Sequence, residues 1–179
     1  MNTKMTTSPV FGITGWKNAG KTTMTEKLVR ELTQRGWRVS TIKHAHHDFD
    51  IDIEGTDSWR HRKAGAGEVA VVSSRRFAII HENMDDAEPC LDDILTRLSP
   101  ADLVLVEGYK QGTHPKLEVI RQASQKQAPI YEMNETIIAL ASDLSASDLK
   151  QSGHLPLFQL DDITSVADFI ERFCELKKS

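Results

Sequence analysis

An eight-residue glycine motif constrains the fold of this chain more than any other feature of its sequence. Gly15 to Thr22 read GxxxxGKT, after the apolar run PVFGIT and before an amphipathic stretch. A strand, a glycine loop and a helix in this order are the context in which such a motif binds phosphate. The glycines let the backbone curl so that several N–H groups converge on phosphate oxygens, and the positive end of the helix dipole faces the same anion. The segment therefore predicts a phosphate loop for a nucleotide.

Two side chains of this motif have a defined chemistry toward phosphate. Lys21 would reach the β and γ phosphates, and the Thr22 hydroxyl would complete the coordination of a Mg2+ ion that keeps most of its other ligands as water and phosphate. Lys17 has two open interpretations, because a lysine in this loop can act on the nucleotide of a partner subunit or can simply face solvent. The motif thus predicts both a nucleotide and a magnesium ion.

The rest of the chain alternates short apolar runs with amphipathic stretches. A helix is predicted over Lys21 to Arg35, with Gly36 at its end, and a second strand parallel to the first over 38–44. EVAVVSS and RFAIIHE predict paired strands, and DLVLVEGY predicts a buried strand. KLEVIR alternates apolar and charged residues, as a half-exposed or edge strand would. Strands are also predicted at 136–141 and 155–160, and a last helix after Asp161 and Asp162 is expected to turn inward Ile163, Val166, Ile170 and Phe173.

This order of elements favours an α/β fold. We expect a P-loop NTPase with a doubly wound, mostly parallel sheet flanked by helices, and with some antiparallel edge strands. A chain of 179 residues has the length of one ordinary domain. Residues 1–179 are therefore expected to form a single nucleotide-binding domain.

Acidic residues follow two of the predicted strands. Glu107 ends DLVLVEGY, so it is the candidate acid that holds Mg2+ directly or through water, although it could instead cap a turn with Gly108. After the second strand comes the polar segment KHAHHDFDIDIEG, whose spacing does not match a calcium-binding EF-hand. We interpret it as a switch-like loop in which Asp48 or Asp50 supports Mg2+ or water, the alternative being a solvated acidic loop.

Composition excludes several classes of protein. The net charge is −4, and the positive charges concentrate near the N-terminus, which fits a local anion site better than a nucleic-acid surface. No apolar run reaches the length of a membrane helix, and the first residues lack the apolar stretch of a secretory signal, so a cytoplasmic location is expected. The 2 cysteines, Cys90 and Cys174, lie far apart and indicate neither a disulfide framework nor a zinc site.

Five segments follow one another along the chain in this order: GWKNAGKTT, IKHAHHDFDID, GTDSWRHRKAGA, DLVLVEGYKQGTHPKLEVIR and IIALASD. Together they resemble the MobB family of molybdopterin-guanine dinucleotide biosynthesis adaptor proteins. The resemblance implies a GTP-binding protein with weak GTPase activity and a homodimer of P-loop subunits. It further implies that the protein helps the guanylyltransferase MobA to attach GMP to molybdopterin, and that its partners are MobA and other molybdopterin-handling proteins.

Two features can be carried over from the family by position, the phosphate loop and the acidic strand end at Glu107, and the other expected site residues come from the residue patterns above. Lys21 and Glu107 are the expected catalytic residues, and Thr22, Asp48, Asp50 and Glu107 are the expected metal ligands. The NKxD guanine motif of other GTPases is absent, but Asp143 could accept hydrogen bonds from guanine N1 and N2, or it could cap a turn before Leu144. The family's phosphate loop falls on Gly15, Trp16, Lys17, Asn18, Ala19, Gly20, Lys21, Thr22 and Thr23.

Two other functions stay open at this point. A small-molecule kinase would need arginines from a lid, for which Arg75, Arg76 or the 110–116 loop are available. A metal-loading GTPase would use His44, His46 and His47. For the GTP-binding adaptor and for the metal-loading GTPase alike, hydrolysis is expected to be slow. No glutamine lies near the acidic loop, and no arginine is expected beside the phosphate loop.

Overall fold

The computed structural model describes residues 8–45, 49–83, 87–124, 127–149 and 154–178. The chain divides into two units, one formed by residues 1–44 with 98–179 and the other by residues 45–97. None of the described helices is long and apolar enough to cross a membrane. In chain order the elements are β1 (Val10–Thr14), α1 (Lys21–Gln34), β2 (Val39–Lys43), α2 (Asp57–Lys63), β3 (Glu68–Val72), β4 (Phe77–His81), α3 (Leu91–Arg97), β5 (Leu103–Glu107), β6 (Lys116–Ile120), β7 (Ile137–Ser142), β8 (Leu157–Gln159) and α4 (Ile163–Phe173).

The larger unit is built on a six-stranded sheet in the order β2-β5-β1-β6-β7-β8. Every neighbouring pair in this sheet is parallel. The parallel relation predicted for the first two strands is confirmed, and β5 lies between them. Because parallel strands end at the same edge, the residues that follow β1, β5, β6 and β7 come together there.

Helices cover the sheet with the residues that their periodicity predicts. α1 buries Met24, Leu28 and Leu32 against the sheet core, and Gly36 follows it with a φ of 93°, as a C-terminal glycine does. Asp162 caps the N-terminus of α4, because its side chain accepts a hydrogen bond from the backbone N–H of Ser165. α4 buries Val166, Ala167 and Ile170. Its predicted inward residue Phe173 is 47% exposed, although its ring lies 6.2 Å from that of Phe11.

Strand β6 differs from its predicted position. KLEVI was expected to be a half-exposed or edge strand, but all its residues are buried and it lies between β1 and β7. Lys116 donates to the carbonyl oxygens of Gly112 and His114 and to Thr136 Oγ1. Hydrogen bonds to three oxygens make the burial of this ammonium group possible.

The second charged residue of β6 is held in the same way. Both Glu118 carboxylate oxygens accept hydrogen bonds of 2.8 Å, from the N–H groups of Ile130 and Tyr131. Burial raises the pKa of Glu118 to about 7, against the opposite effect of these two donors. The alternation of the sequence therefore reflects two buried charged groups rather than a solvent-exposed face.

The smaller unit contains a separate two-stranded sheet. β3 and β4 pair in antiparallel register, with Val72 opposite Phe77 and Glu68 opposite His81. The predicted strand pair is thus confirmed. With its parallel sheet, flanking helices and antiparallel hairpin, the chain has the expected α/β fold.

Candidate functional site

The phosphate loop connects β1 to α1 with the backbone that its glycines allow. Gly15, Asn18 and Gly20 have φ angles of 145°, 65° and 100°. A methyl group on Gly15 would lie 2.5 Å from the carbonyl oxygen of Val119, so this position excludes any side chain. α1 starts directly after Gly20. Its N-terminal N–H groups and the loop therefore meet at one edge of the sheet.

Lys21 lies across the loop. Its ammonium group donates to the carbonyl oxygen of Trp16 at 2.9 Å. Burial is the main cause that lowers its pKa, partly opposed by the charge of Glu107. The contact to a loop carbonyl places this charge against the loop backbone, and a lysine at this position of the motif is the residue that reaches a β or γ phosphate.

The two metal ligands expected in the larger unit are in contact. Thr22 Oγ1 donates to Glu107 Oε1 at 2.7 Å, across 85 positions of sequence. Glu107 is 7% exposed, and Lys43 Nζ lies 3.5 Å from the same carboxylate oxygen. A hydroxyl and a carboxylate are oxygen ligands of the kind that Mg2+ takes together with water and phosphate. The pair fits a magnesium ion beside the phosphate loop.

The acidic loop gives less information. Asp48, like His46 and His47, lies outside the described residues. Asp50 belongs to the smaller unit, where its carboxylate pairs with Arg62 at 2.5 Å; Asp52 and Glu82 pair with the same guanidinium at 2.9 and 2.6 Å. Within the described ranges, no cluster of three or more His, Cys, Asp or Glu residues could hold a metal ion. Metal binding by Asp48 and Asp50 stays a prediction.

The side chain of Trp16 contacts two residues outside the phosphate loop. Its indole N–H donates to the carbonyl oxygen of Ala128 at 2.9 Å, and Lys110 Nζ lies 4.1 Å from the ring centroid. These two contacts fix the position of the ring beside the loop. Of the other loop residues, Ala19 is buried and the exposed ones are Lys17, Asn18, Thr22 and Thr23.

Asp143 directly follows β7 at the same edge. Its Oδ1 accepts a hydrogen bond of 2.8 Å from the backbone N–H of Gln122, the first residue of the short 3-10 helix Gln122–Ser124. The turn before Leu144 is instead held by the Ser142 hydroxyl, which accepts from the Leu144 N–H at 3.0 Å. Asp143 therefore caps a turn, but not the one expected, and its contact to guanine stays a prediction.

Sequence reasoning missed an arginine at this site. A methyl group on Gly20 would lie 3.5 Å from Arg121 Nη2 and 3.8 Å from its Nε. The expectation that no arginine lies beside the phosphate loop is wrong. Arg121 follows β6, and only the strand order shows that β6 is the neighbour of β1. The arginines considered for a kinase lid, Arg75 and Arg76, lie in the turn between β3 and β4 of the smaller unit.

Comparison with known sequences finds one family for most of this chain. Residues 10–143 match the family described as MobB, molybdopterin guanine dinucleotide synthesis protein B. The molybdopterin-guanine dinucleotide biosynthesis adapter protein of Haemophilus influenzae is 39% identical over 170 residues, which cover 92% of this chain and 89% of that protein. The adapter protein of the same description from Escherichia coli is 35% identical over 164 residues, covering 90% of this chain and 91% of that one.

Solved structures agree in fold. A crystal structure of a molybdopterin-guanine biosynthesis protein B superposes with a TM-score of 0.71 at 25% identity, over 92% of this chain and 99% of that one. A MobB homologue from Bacillus stearothermophilus superposes with a TM-score of 0.65 at 27% identity, over 94% of this chain and 99% of that one. The match extends over nearly the whole length of both structures.

Proposed function

Since this chain belongs to the MobB family and is an adapter protein of molybdopterin guanine dinucleotide biosynthesis, we propose that it acts there as a GTP-binding protein with weak GTPase activity. It assists the attachment of GMP to molybdopterin by the guanylyltransferase MobA, and its other partners are molybdopterin-handling proteins. The observation that carries the nucleotide part of this proposal is the contact of Thr22 with Glu107 beside a complete phosphate loop.

The phosphate loop and the two acids Glu107 and Asp143 have separate roles in this proposal. The loop N–H groups and the start of α1 bind the phosphates, and Lys21 neutralises charge at the β and γ positions. Thr22 and Glu107 would hold Mg2+, which supplies positive charge to the phosphate oxygens when bound. Asp143 would accept hydrogen bonds from guanine N1 and N2, a donor pair that adenine lacks.

Hydrolysis by the isolated chain would be slow for a physical reason. The γ phosphate would lie near the metal ligand Glu107, on the β5 side of the loop, whereas Arg121 lies on the β6 side. The negative charge of the transition state would therefore be stabilised mainly by Lys21 and the magnesium ion. A partner protein that contributes a further positive group would accelerate the reaction. We therefore expect turnover well below the roughly 1 to 100 per second of typical kinases.

Titration of the purified chain with nucleotides tests this function. With Mg2+ present, GTP is expected to bind about tenfold more tightly than ATP, because only guanine offers two donors to a carboxylate. Phosphate release should be slow for the chain alone and should increase when MobA is added. Equal affinities for GTP and ATP would refute the guanine role, and fast hydrolysis by the isolated chain would refute the proposal that its GTPase activity is weak.

The homodimer implied by the family has a candidate surface in the smaller unit. Val72, Phe77 and Ile79 lie on one face of the hairpin and are 74%, 70% and 62% exposed. Large apolar side chains grouped in this way are typical of protein interfaces, and a two-stranded sheet leaves two edges to be covered. We propose that a second copy of the chain covers this face.

Replacement of one residue tests the dimer. Phe77→Asp is expected to weaken dimerisation more than about tenfold, because it removes a large apolar contact and places a charge in the interface. Sedimentation equilibrium at micromolar concentration measures the change. Ser74→Asp, which adds the same charge in the hairpin turn, is the matched control and should remain dimeric. A wild-type chain that sediments as a monomer would contradict the proposal.

A further inference from the structure

Both glycines of the phosphate loop face the end of β6. A methyl group added at Gly15 would collide with the carbonyl oxygen of Val119, and one added at Gly20 would lie against the guanidinium of Arg121. Arg121 is exposed at this edge of the sheet, and its charge also acts on Asp161. A second positive side chain therefore stands beside the loop, on the side opposite to Lys43 and Glu107.

The strand order gives the site a direction. β5, which ends in Glu107, lies on one side of β1, and β6 and then β7 follow on the other side. The end of a triphosphate that shares Mg2+ with Thr22 and Glu107 would lie toward β5. The rest of the nucleotide would then pass β6 on its way to Asp143 at the end of β7. Arg121 stands at the middle of this path.

Asp143 fixes the backbone that carries this arginine. Its Oδ1 accepts a hydrogen bond of 2.8 Å from the backbone N–H of Gln122, the residue directly after Arg121. This contact joins the end of β7 to the segment that leaves β6. Without the Asp143 carboxylate, the segment that follows β6 would lose this hydrogen bond, and the guanidinium of Arg121 would no longer be held in one position.

We propose that Arg121 contacts the α-phosphate and ribose end of the bound nucleotide, and that Asp143 positions it through Gln122. The inference deepens the proposed function and rests on nucleotide binding at this loop. Arg121 contributes to binding of the diphosphate and the triphosphate alike. Asp143 has a positioning role in addition to any contact with guanine.

Calorimetric titration of GTP, GDP and ATP against five variants, one of them a double variant, and one control tests the inference. Arg121→Ala is expected to weaken GTP and GDP by the same factor, about tenfold, as loss of one charge-assisted hydrogen bond predicts. Arg121→Lys should recover only part of the affinity, because an ammonium lacks the two-pronged geometry of a guanidinium. Arg30→Ala removes an arginine that pairs with Glu26 on the surface of α1, and it should bind as the wild type does.

The Asp143 variants separate positioning from base recognition. Asp143→Asn keeps an oxygen for the Gln122 N–H, so the affinity common to all nucleotides should be retained, whereas any guanine role appears as a smaller ratio of GTP to ATP affinity. Asp143→Ala should lower all three affinities, and its effect should not add to that of Arg121→Ala in the double variant.

Several outcomes would overturn the inference while leaving GTP binding intact. The pKa of Asp161 is lowered mainly by its hydrogen bond from Lys27 and less by the charge of Arg121. If Arg121 interacts only with Asp161 and not with the nucleotide, Arg121→Ala would leave nucleotide affinity unchanged. A loss confined to GTP would place the guanidinium at the γ phosphate instead, and unchanged affinities in Asp143→Ala would refute the positioning role. A wild-type chain that binds no nucleotide would refute the proposed function itself.

Discussion

Lys21→Ala is expected to weaken binding of GTP about tenfold to hundredfold, since one charge-assisted contact to phosphate contributes about 1.5 to 3 kcal/mol. The fold should be retained. In this structure the Lys21 ammonium contacts a loop carbonyl oxygen, Trp16 O, and is not enclosed in the apolar core. Calorimetric titration with Mg2+ present measures the affinity, and circular dichroism monitors the fold.

The matched control for this variant lies on the same helix. Lys27 pairs with Asp161 on the surface at 2.7 Å, so Lys27→Ala removes an equal charge from α1 without touching the loop. It should bind GTP as the wild type does. An unchanged affinity in Lys21→Ala would end the assignment of the phosphate loop, and an equal loss in both variants would indicate a general effect of charge.

Lys116→Ala is expected to lower the free energy of unfolding by about 3 to 5 kcal/mol. The side chain is fully buried, and its ammonium donates to two carbonyl oxygens and one hydroxyl. Removal leaves these three acceptors without their donor and opens a cavity between β1 and β7. Urea denaturation followed by circular dichroism measures the loss.

A second substitution at this position separates the two causes. Lys116→Met fills most of the volume but supplies no donor, so its loss should be smaller than that of alanine and should report the unpaired oxygens. The exposed Lys177→Ala serves as the control for removal of a charge. A midpoint for Lys116→Ala equal to that of the wild type would show that the buried ammonium is not needed for stability.

Local signals in the sequence predicted many of the elements. The phosphate loop, α1 with Gly36 after it, the hairpin of β3 and β4 and the start of α4 at Asp162 each depend on residues close together in the chain. Capping, turn chemistry and periodicity act over such distances. Prediction therefore succeeded where the interacting groups are neighbours in sequence.

Long-range contacts explain what could not be predicted. KLEVI resembles an edge strand because the partners of Lys116 and Glu118 lie in other segments, such as Thr136 and Ile130. The position of Arg121 beside Gly20 depends on the strand order, and the contact of Asp143 with Gln122 spans 21 positions. The spacing of residues within one segment carries no information on which distant residues become its contact partners in the folded protein.

The buried charges of β6 determine which parts of the neighbouring loops are free to change. Glu118 accepts hydrogen bonds from the main-chain N–H groups of Ile130 and Tyr131. Lys116 donates to main-chain oxygens of Gly112 and His114, in addition to the Thr136 hydroxyl. Main-chain groups are present whatever the side chain, so the shape of the segment around Tyr131 is encoded in the strand rather than in the segment itself. Substitutions at its exposed positions, such as Glu132 and Met133, can accordingly change the protein surface next to the phosphate loop without altering the sheet below.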